Sequence, residues 1–241
     1  MKKIAALVCV LMSATFALTT GAESVFEEDA FGNINQRNVG VLEEQRFDRP
    51  HQHNLRHIEE SRSLPAFNEL EIRAPVEFHY QASGPNALQL QGSAESVKAI
   101  KAYVSGSKLV IERQHQGGLD TPVLTLSGGN LERVSVHSSA NLDLSQLRGK
   151  RFALEVRGAA DIKLKGKVQQ CSIDAQGAGD IDQSELICEA LDLKIFGAND
   201  IEAHATQRIS GRLQGAGDIT VHGQPAQRQV SIQGAYDIDY F

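Results

Sequence analysis

Five aspartates recur at one point of a phrase repeated through the second half of the chain. Asp161, Asp180, Asp200, Asp218 and Asp237 each follow Gly-Ala-x and precede Ile, and they stand 19, 20, 18 and 19 residues apart. Asn141 holds the same place 20 residues before Asp161. Two residues after each comes a second, partly acidic set: Asp143, Lys163, Asp182, Glu202, Thr220 and Asp239. Carboxylates gathered in this way can ligate calcium, which takes oxygen donors. They can also cap their own turns by accepting from backbone N–H groups. The neutral Asn141 in the same column favours the cap. Paired aspartates also serve as acid and base in glycoside cleavage, but here the carboxylates repeat evenly and do not cluster in one unusual segment.

Two other residue sets carry potential chemistry. His51, His53 and His57 are close enough in sequence to hold a transition metal, although a solvated, histidine-containing tether is the plainer reading. Of the three cysteines, Cys9 lies near the start, and Cys171 and Cys188 remain within the repeats. Cys171 stands nine residues before its aspartate and Cys188 twelve before its own. That mismatch favours two apolar core thiols over a disulfide.

The elements that must position these residues are strands. Seven before each aspartate stand Val134, Leu154, Ile173, Leu193, Gly211 and Val230, and five before stand Val136, Val156, Ala175, Ile195, Leu213 and Ile232. One after stand Leu142, Ile162, Ile181, Ile201, Ile219 and Ile238, and the positions between these columns are mostly polar. Alternation with period two is the pattern of a strand with one buried face. Glycine at each corner supplies a backbone conformation other residues avoid. A single turn of this kind cannot bury its apolar side, whereas stacked copies bury a continuous one. The repeat therefore predicts an all-β fold: a single-stranded parallel β-helix, or β-solenoid, with coils of about 19 residues. Intervals of 18 to 20 do not keep the six-residue rhythm of left-handed versions, which points to a right-handed one. The expected core includes Leu154, Val156, Ile162, Ile173, Ile181, Leu193, Ile195, Ile201, Leu213, Ile219 and Ile232.

Upstream, residues 1–22 begin with Lys2 and Lys3, continue through an apolar run and end in Thr20-Gly21-Ala22. This is the pattern of a secretory signal peptide, too short in its apolar core to span a membrane. Its removal would take the formal net charge from −6 to −8 and leave no integral membrane span. A nucleic-acid partner is disfavoured by that charge. Residues 23–62 are polar and aperiodic and read as a flexible leader. From residue 63 short strands are expected at 67–72, 76–80, 87–91, 108–111 and 123–126, with a helical turn or two after Ser93 as cap.

Taken together, Phe67-Asn68-Glu69-Leu70-Glu71-Ile72, Ala74-Pro75-Val76-Glu77-Phe78-His79-Tyr80, Leu109-Val110-Ile111 and the repeated Gly-Ala-x-Asp-Ile resemble the head GIN domain family. These are secreted bacterial proteins described as putative autotransporter adhesins, and the resemblance covers residues 63–241. It implies a right-handed β-helix in the periplasm or at the cell surface, and it carries no catalytic residues. The function expected is that of an exported, non-enzymatic module for binding, adhesion or envelope scaffolding. Its partner would be an unidentified envelope or extracellular polymer or protein, with oligomerisation left open. The alternatives are a β-helix polysaccharide lyase or hydrolase and a calcium-responsive solenoid. No cofactor is implied beyond calcium at the aspartates.

Overall fold

The computed structural model describes residues 23–28, 34–41, 57–115 and 120–241. Among the described residues the fold is all-β with one short helix. In chain order the elements are β1 (Glu23–Glu28), β2 (Ile34–Val41), β3 (His57–Ser63), β4 (Glu69–Arg73), β5 (Val76–Gln81) and β6 (Ala87–Ser93). They continue with α1 (Ala94–Ala99), β7 (Ile100–Ser105), β8 (Lys108–Arg113), β9 (Val123–Ser127), β10 (Arg133–Val136), β11 (Ala140–His222) and β12 (Gln227–Tyr240).

A straight strand as long as β11, 83 residues, would extend about 270 Å at the usual rise. The chain instead returns onto itself once per repeat. A Cβ added at Gly177 would run into the carbonyl of Gly158, one at Gly197 into that of Gly177, and one at Gly215 into that of Gly197. β12 then lies parallel on the end of β11 in the register of the repeat, Gly215 opposite Gly234, Asp218 opposite Asp237 and Ile219 opposite Ile238. The corner glycines have φ between 124° and 143°, a region closed to most side chains. Each is thus required twice, by its conformation and by the close passage of the next turn.

The stack also runs upstream through strands whose spacing hides it. β10 is parallel to β11 and to β4, placing Val134 beside both Leu154 and Leu70. β4 in turn pairs with β8, Leu70 beside Leu109. β5 lies on the start of β11 with Glu77 beside Asn141 and Phe78 beside Leu142, and β9 lies on β5. Of the short strands expected to precede the repeat, those at 67–72, 76–80, 108–111 and 123–126 are therefore rungs of the same parallel stack, whereas 87–91 lies in the antiparallel β6. Two antiparallel pairings, β6 with β9 and β7 with β8, hold the intervening segment.

All but one of the expected core residues are 4% exposed or less, and Ile232 is 43% exposed. Ile232 belongs to β12, which pairs on one side only among the described strands, so its apolar side lacks the covering turn that Ile195 and Leu213 have. A second correction concerns residues 57–62, expected as leader: they form most of β3, antiparallel to β6. The polar composition concealed the strand because two of its inward positions are charged. Glu60 and Arg62 are buried and paired at 2.7 Å. β1 and β2 also fall in the expected leader and join β3 as an antiparallel extension.

The third correction is the thiol pair. Cys171 and Cys188 form a disulfide, with Cα atoms 6.0 Å apart. Ladder position governs which residues are neighbours along the stack. It does not exclude a bridge between residues slightly out of register: the two cysteines are 17 residues apart, nearly one full repeat, so both buried side chains lie on adjoining turns close enough to join.

The helix begins as expected. Ser93 Oγ accepts from the Ser96 N–H at 3.2 Å, and Asp120 clamps the same point from across the fold. The Asp120 carboxylate accepts from the Ser93 N–H at 2.8 Å, from the Ser93 hydroxyl at 2.6 Å and from the Ser96 hydroxyl. Burial pushes this carboxyl up, but the converging donors outweigh it and hold the group far below its ordinary value of 3.8. A depressed folded-state pKa means the contribution is complete above the ordinary value and is lost as pH falls through the folded one. Asp120→Asn is therefore expected to be less stable than the parent at neutral pH, and the difference should shrink in acid. Denaturant midpoints of both proteins from pH 7 to pH 2 check this. A difference that stays constant below pH 4 would contradict it.

Candidate functional site

Each turn of the stack has two outward-facing stretches, one before the glycine corner and one after it. Outward residues from successive turns form columns, because the side-chain period of a strand keeps one parity on one face.

After the corner runs the acidic column. Asn141, Asp161, Asp180, Asp200, Asp218 and Asp237 are all exposed. The Asp180 N–H donates to Asp161 Oδ1 at 3.4 Å, and the Asp218 N–H donates to Asp200 Oδ1 at 2.9 Å. Asp237 Oδ1 accepts from the neighbouring Ile238 N–H at 2.9 Å. These carboxylates thus satisfy backbone donors, two of them on the next turn. Strand pairing adds two members the spacing did not reveal: Glu77 continues the aspartate column beyond Asn141, and His79 continues the second column beyond Asp143. The two pair with each other at 3.1 Å. The signal was present in Val76-Glu77-Phe78, which matches Ala140-Asn141-Leu142 in alternation but is separated from it by a long insertion.

The second column is partly neutralised. Lys163 Nζ lies 3.1 Å from Asp182 and 3.5 Å from Glu185, and Lys165 Nζ lies 3.0 Å from Glu185. The hydrogen bond to Asp182 raises the Lys163 pKa. Asp182 is pushed up by burial, but the Ser184 donors and Lys163 more than offset this and lower it. Contact with Lys165 is the first cause of the lowered Glu185 pKa. Between the columns, near Glu77, Asn141, Asp161 and Asp180, is a cleft of about 380 Å³. Among the described residues, no three His, Cys, Asp or Glu side chains converge to hold a metal ion. His57 opens β3, opposite Ser93. His51 and His53 lie outside the described residues.

If the aspartates act only as caps, an Asp180→Asn, Asp200→Asn double variant should fold with little loss, since Asn caps comparably. It should also melt with the same calcium response as the parent. Melting both proteins in chelator and in millimolar calcium decides this. Calcium that stabilises the parent well above the variant would show ligation instead, by preferential binding to the folded state.

Before the corner, the outward columns are mixed. Glu71 is flanked by Arg73 and Lys108, the latter at 3.0 Å. Burial raises its pKa but the two cations bring it below the ordinary value. Along the next column Arg157 bonds both Glu155 and Gln176, and Gln214 donates to Gln233 at 2.6 Å. Phe196 stands in that column between the amides, 36% exposed. The Ser184 and Ser210 hydroxyls donate to Asp182 and Asp192 at 2.6 and 3.0 Å. The arrangement offers ordered charges, amides and one ring on extended faces.

Residues 66–225 match a family model described as "Putative auto-transporter adhesin, head GIN domain". Solved structures with a similar fold include a putative adhesin from Bacteroides fragilis, 19% identical, covering 77% of this chain and 97% of that one, with a TM-score of 0.63. A putative adhesin from Parabacteroides merdae is 14% identical, covering 78% of this chain and 97% of its own, with a TM-score of 0.51. Among curated proteins, none matches. At these identities the structural likeness bears on fold alone.

Proposed function

The chain belongs to the head GIN domain family, and on that premise we propose that it is an exported, non-enzymatic binding module built as a right-handed parallel β-helix. It serves in adhesion or as a scaffold at the cell envelope. The observation that carries this reading is the continuity of the outward columns, in which one side-chain type after another is presented at rung spacing along a rigid stack. Such a surface suits an extended partner better than a small substrate, because contacts repeat along it and converge nowhere. In this reading residues 1–22 are removed as a signal peptide, the polar leader carries β1 and β2, and the binding domain runs from β3 to residue 241. No helix of the described residues is long and apolar enough to cross a membrane.

The test is fractionation together with adherence. The mature N-terminus is expected at or near Glu23, on protein recovered outside the inner membrane. Purified protein should adhere to envelope or cell-surface material without cleaving polysaccharide, with or without calcium. Recovery from the cytosol with Met1 intact, or polysaccharide cleavage, would contradict it.

A further inference from the structure

Two cations stand side by side on the outward face near the end of the stack. Lys194 and Arg212 occupy the same outward column on neighbouring turns, since the Gly211 backbone passes against the Leu193 carbonyl. Both are exposed. Neither has an ion-pair partner among the described residues. Asp174 precedes Lys194 in the same column and Ser231 follows Arg212, so the two cations are the positive stretch of a mixed column.

Three further observations surround it. A groove of about 730 Å³ opens beside the pair, floored by Gly211 between Leu193 and Val230. The one carboxylate in the lining, Asp192, already accepts from the Ser210 hydroxyl at 3.0 Å. On the other rim stand the half-exposed Phe196 ring and, one turn on, the Gln214–Gln233 amide pair.

We infer that this groove binds an acidic polysaccharide, a chain of sugars carrying carboxylates, which docks along the stack. The inference rests on the binding-module reading and supplies its partner class. The carboxylates pair with Lys194 and Arg212 on successive turns. The Phe196 ring packs on the C–H face of one sugar, and the amides of Gln214 and Gln233 meet its hydroxyls. The acidic columns after the corner repel a polyanion, which confines it to this side. Single-stranded nucleic acid fits poorly, because successive bases need several stacking rings and this groove exposes one.

The experiment measures binding of the full chain to polygalacturonate at low salt. Neutral dextran, a single-stranded DNA oligonucleotide and poly-glutamate are the comparison polymers. Polygalacturonate is expected to bind and to weaken with added salt, and dextran is expected not to bind. Lys194→Gln with Arg212→Gln should lower affinity at least about tenfold, and Phe196→Ser by about tenfold, the scale of one lost anchoring contact. Both variants alter exposed side chains, so their melting temperatures should match the parent. Equal affinity in the variants, no polygalacturonate binding, or tighter binding of DNA or poly-glutamate would overturn the inference. Adherence to envelope material measured on the same double variant separates the two readings. Retained adherence without uronate selectivity removes this groove and leaves the binding module standing.

Discussion

Ile201→Asp is expected to abolish the folded state under conditions where the parent is stable. Ile201 is 1% exposed in the middle of the stack, in the column that carries Ile181 and Ile219 on adjoining turns. A carboxylate there has no cation within the apolar interior and would have to be buried unpaired or neutralised. Losing the isoleucine and burying the charge together cost on the order of 4 kcal/mol or more. Whole domains are stable by only about 5 to 15 kcal/mol, so the variant should be unfolded or melt far below the parent. Ile201→Val, which removes one methylene, should cost about 1 kcal/mol. Denaturant titration of the three proteins checks the sequence of effects. An Ile201→Asp protein with the parent's midpoint would show that this column faces solvent.

Gly197→Val should be nearly as damaging, for a different reason. Its Cβ would enter the space of the Gly177 carbonyl on the neighbouring turn, and its φ of +129° is hostile to a branched side chain. Separating the turns breaks the backbone ladder between them, so a cost on the order of 4 kcal/mol is expected. Gly106 separates the two causes: its φ is +63° and nothing lies within 4 Å of its Cβ position. Gly106→Val therefore reports conformational strain alone, about 1 to 3 kcal/mol. Equal losses at the two sites, measured by denaturant midpoint, would mean that no turn passes over Gly197.

These two residues also show what was legible in advance. Ile201 and Gly197 sit in columns that repeat every 18 to 20 residues, and each turn rests on a sequence-adjacent copy of itself, so counting from the aspartates placed both correctly. Counting failed where physical neighbours are distant in sequence. Glu77 lies beside Asn141, yet the segment from β6 to β9 intervenes between them. Its antiparallel strands carry their own alternation and hide the register. The column rule also admits only partners at equal offset, which is why Cys171 and Cys188, 17 residues apart, looked mismatched although their Cα atoms are 6.0 Å apart.

β3 was obscured by chemistry. The mutually paired Glu60 and Arg62 occupy buried positions, so a pattern based on apolar residues finds no strand there. Ile232 shows the opposite limit. It carries the inward pattern of Ile195 and Leu213, but burial depends on a neighbouring turn as well as on its own alternation. The aspartate column was visible from the start. Its acceptance of N–H groups from the following turn was not, because that contact joins residues 18 or 19 apart.

The stacking of one turn per repeat is tested most directly by spin-label distances along a single outward column. Ser135, Glu155 and Ser231 share the position six residues before Asn141, Asp161 and Asp237. Labels at Glu155 and Ser231 should be separated by four turns, about 19 Å, and labels at Ser135 and Ser231 by five, about 24 Å. The predicted result is an increase of about 5 Å for the added turn, although 20 residues are added to the intervening chain. Two distances that do not lengthen together with turn number, or that grow with the contour of the chain, would contradict the stack and the columns built on it.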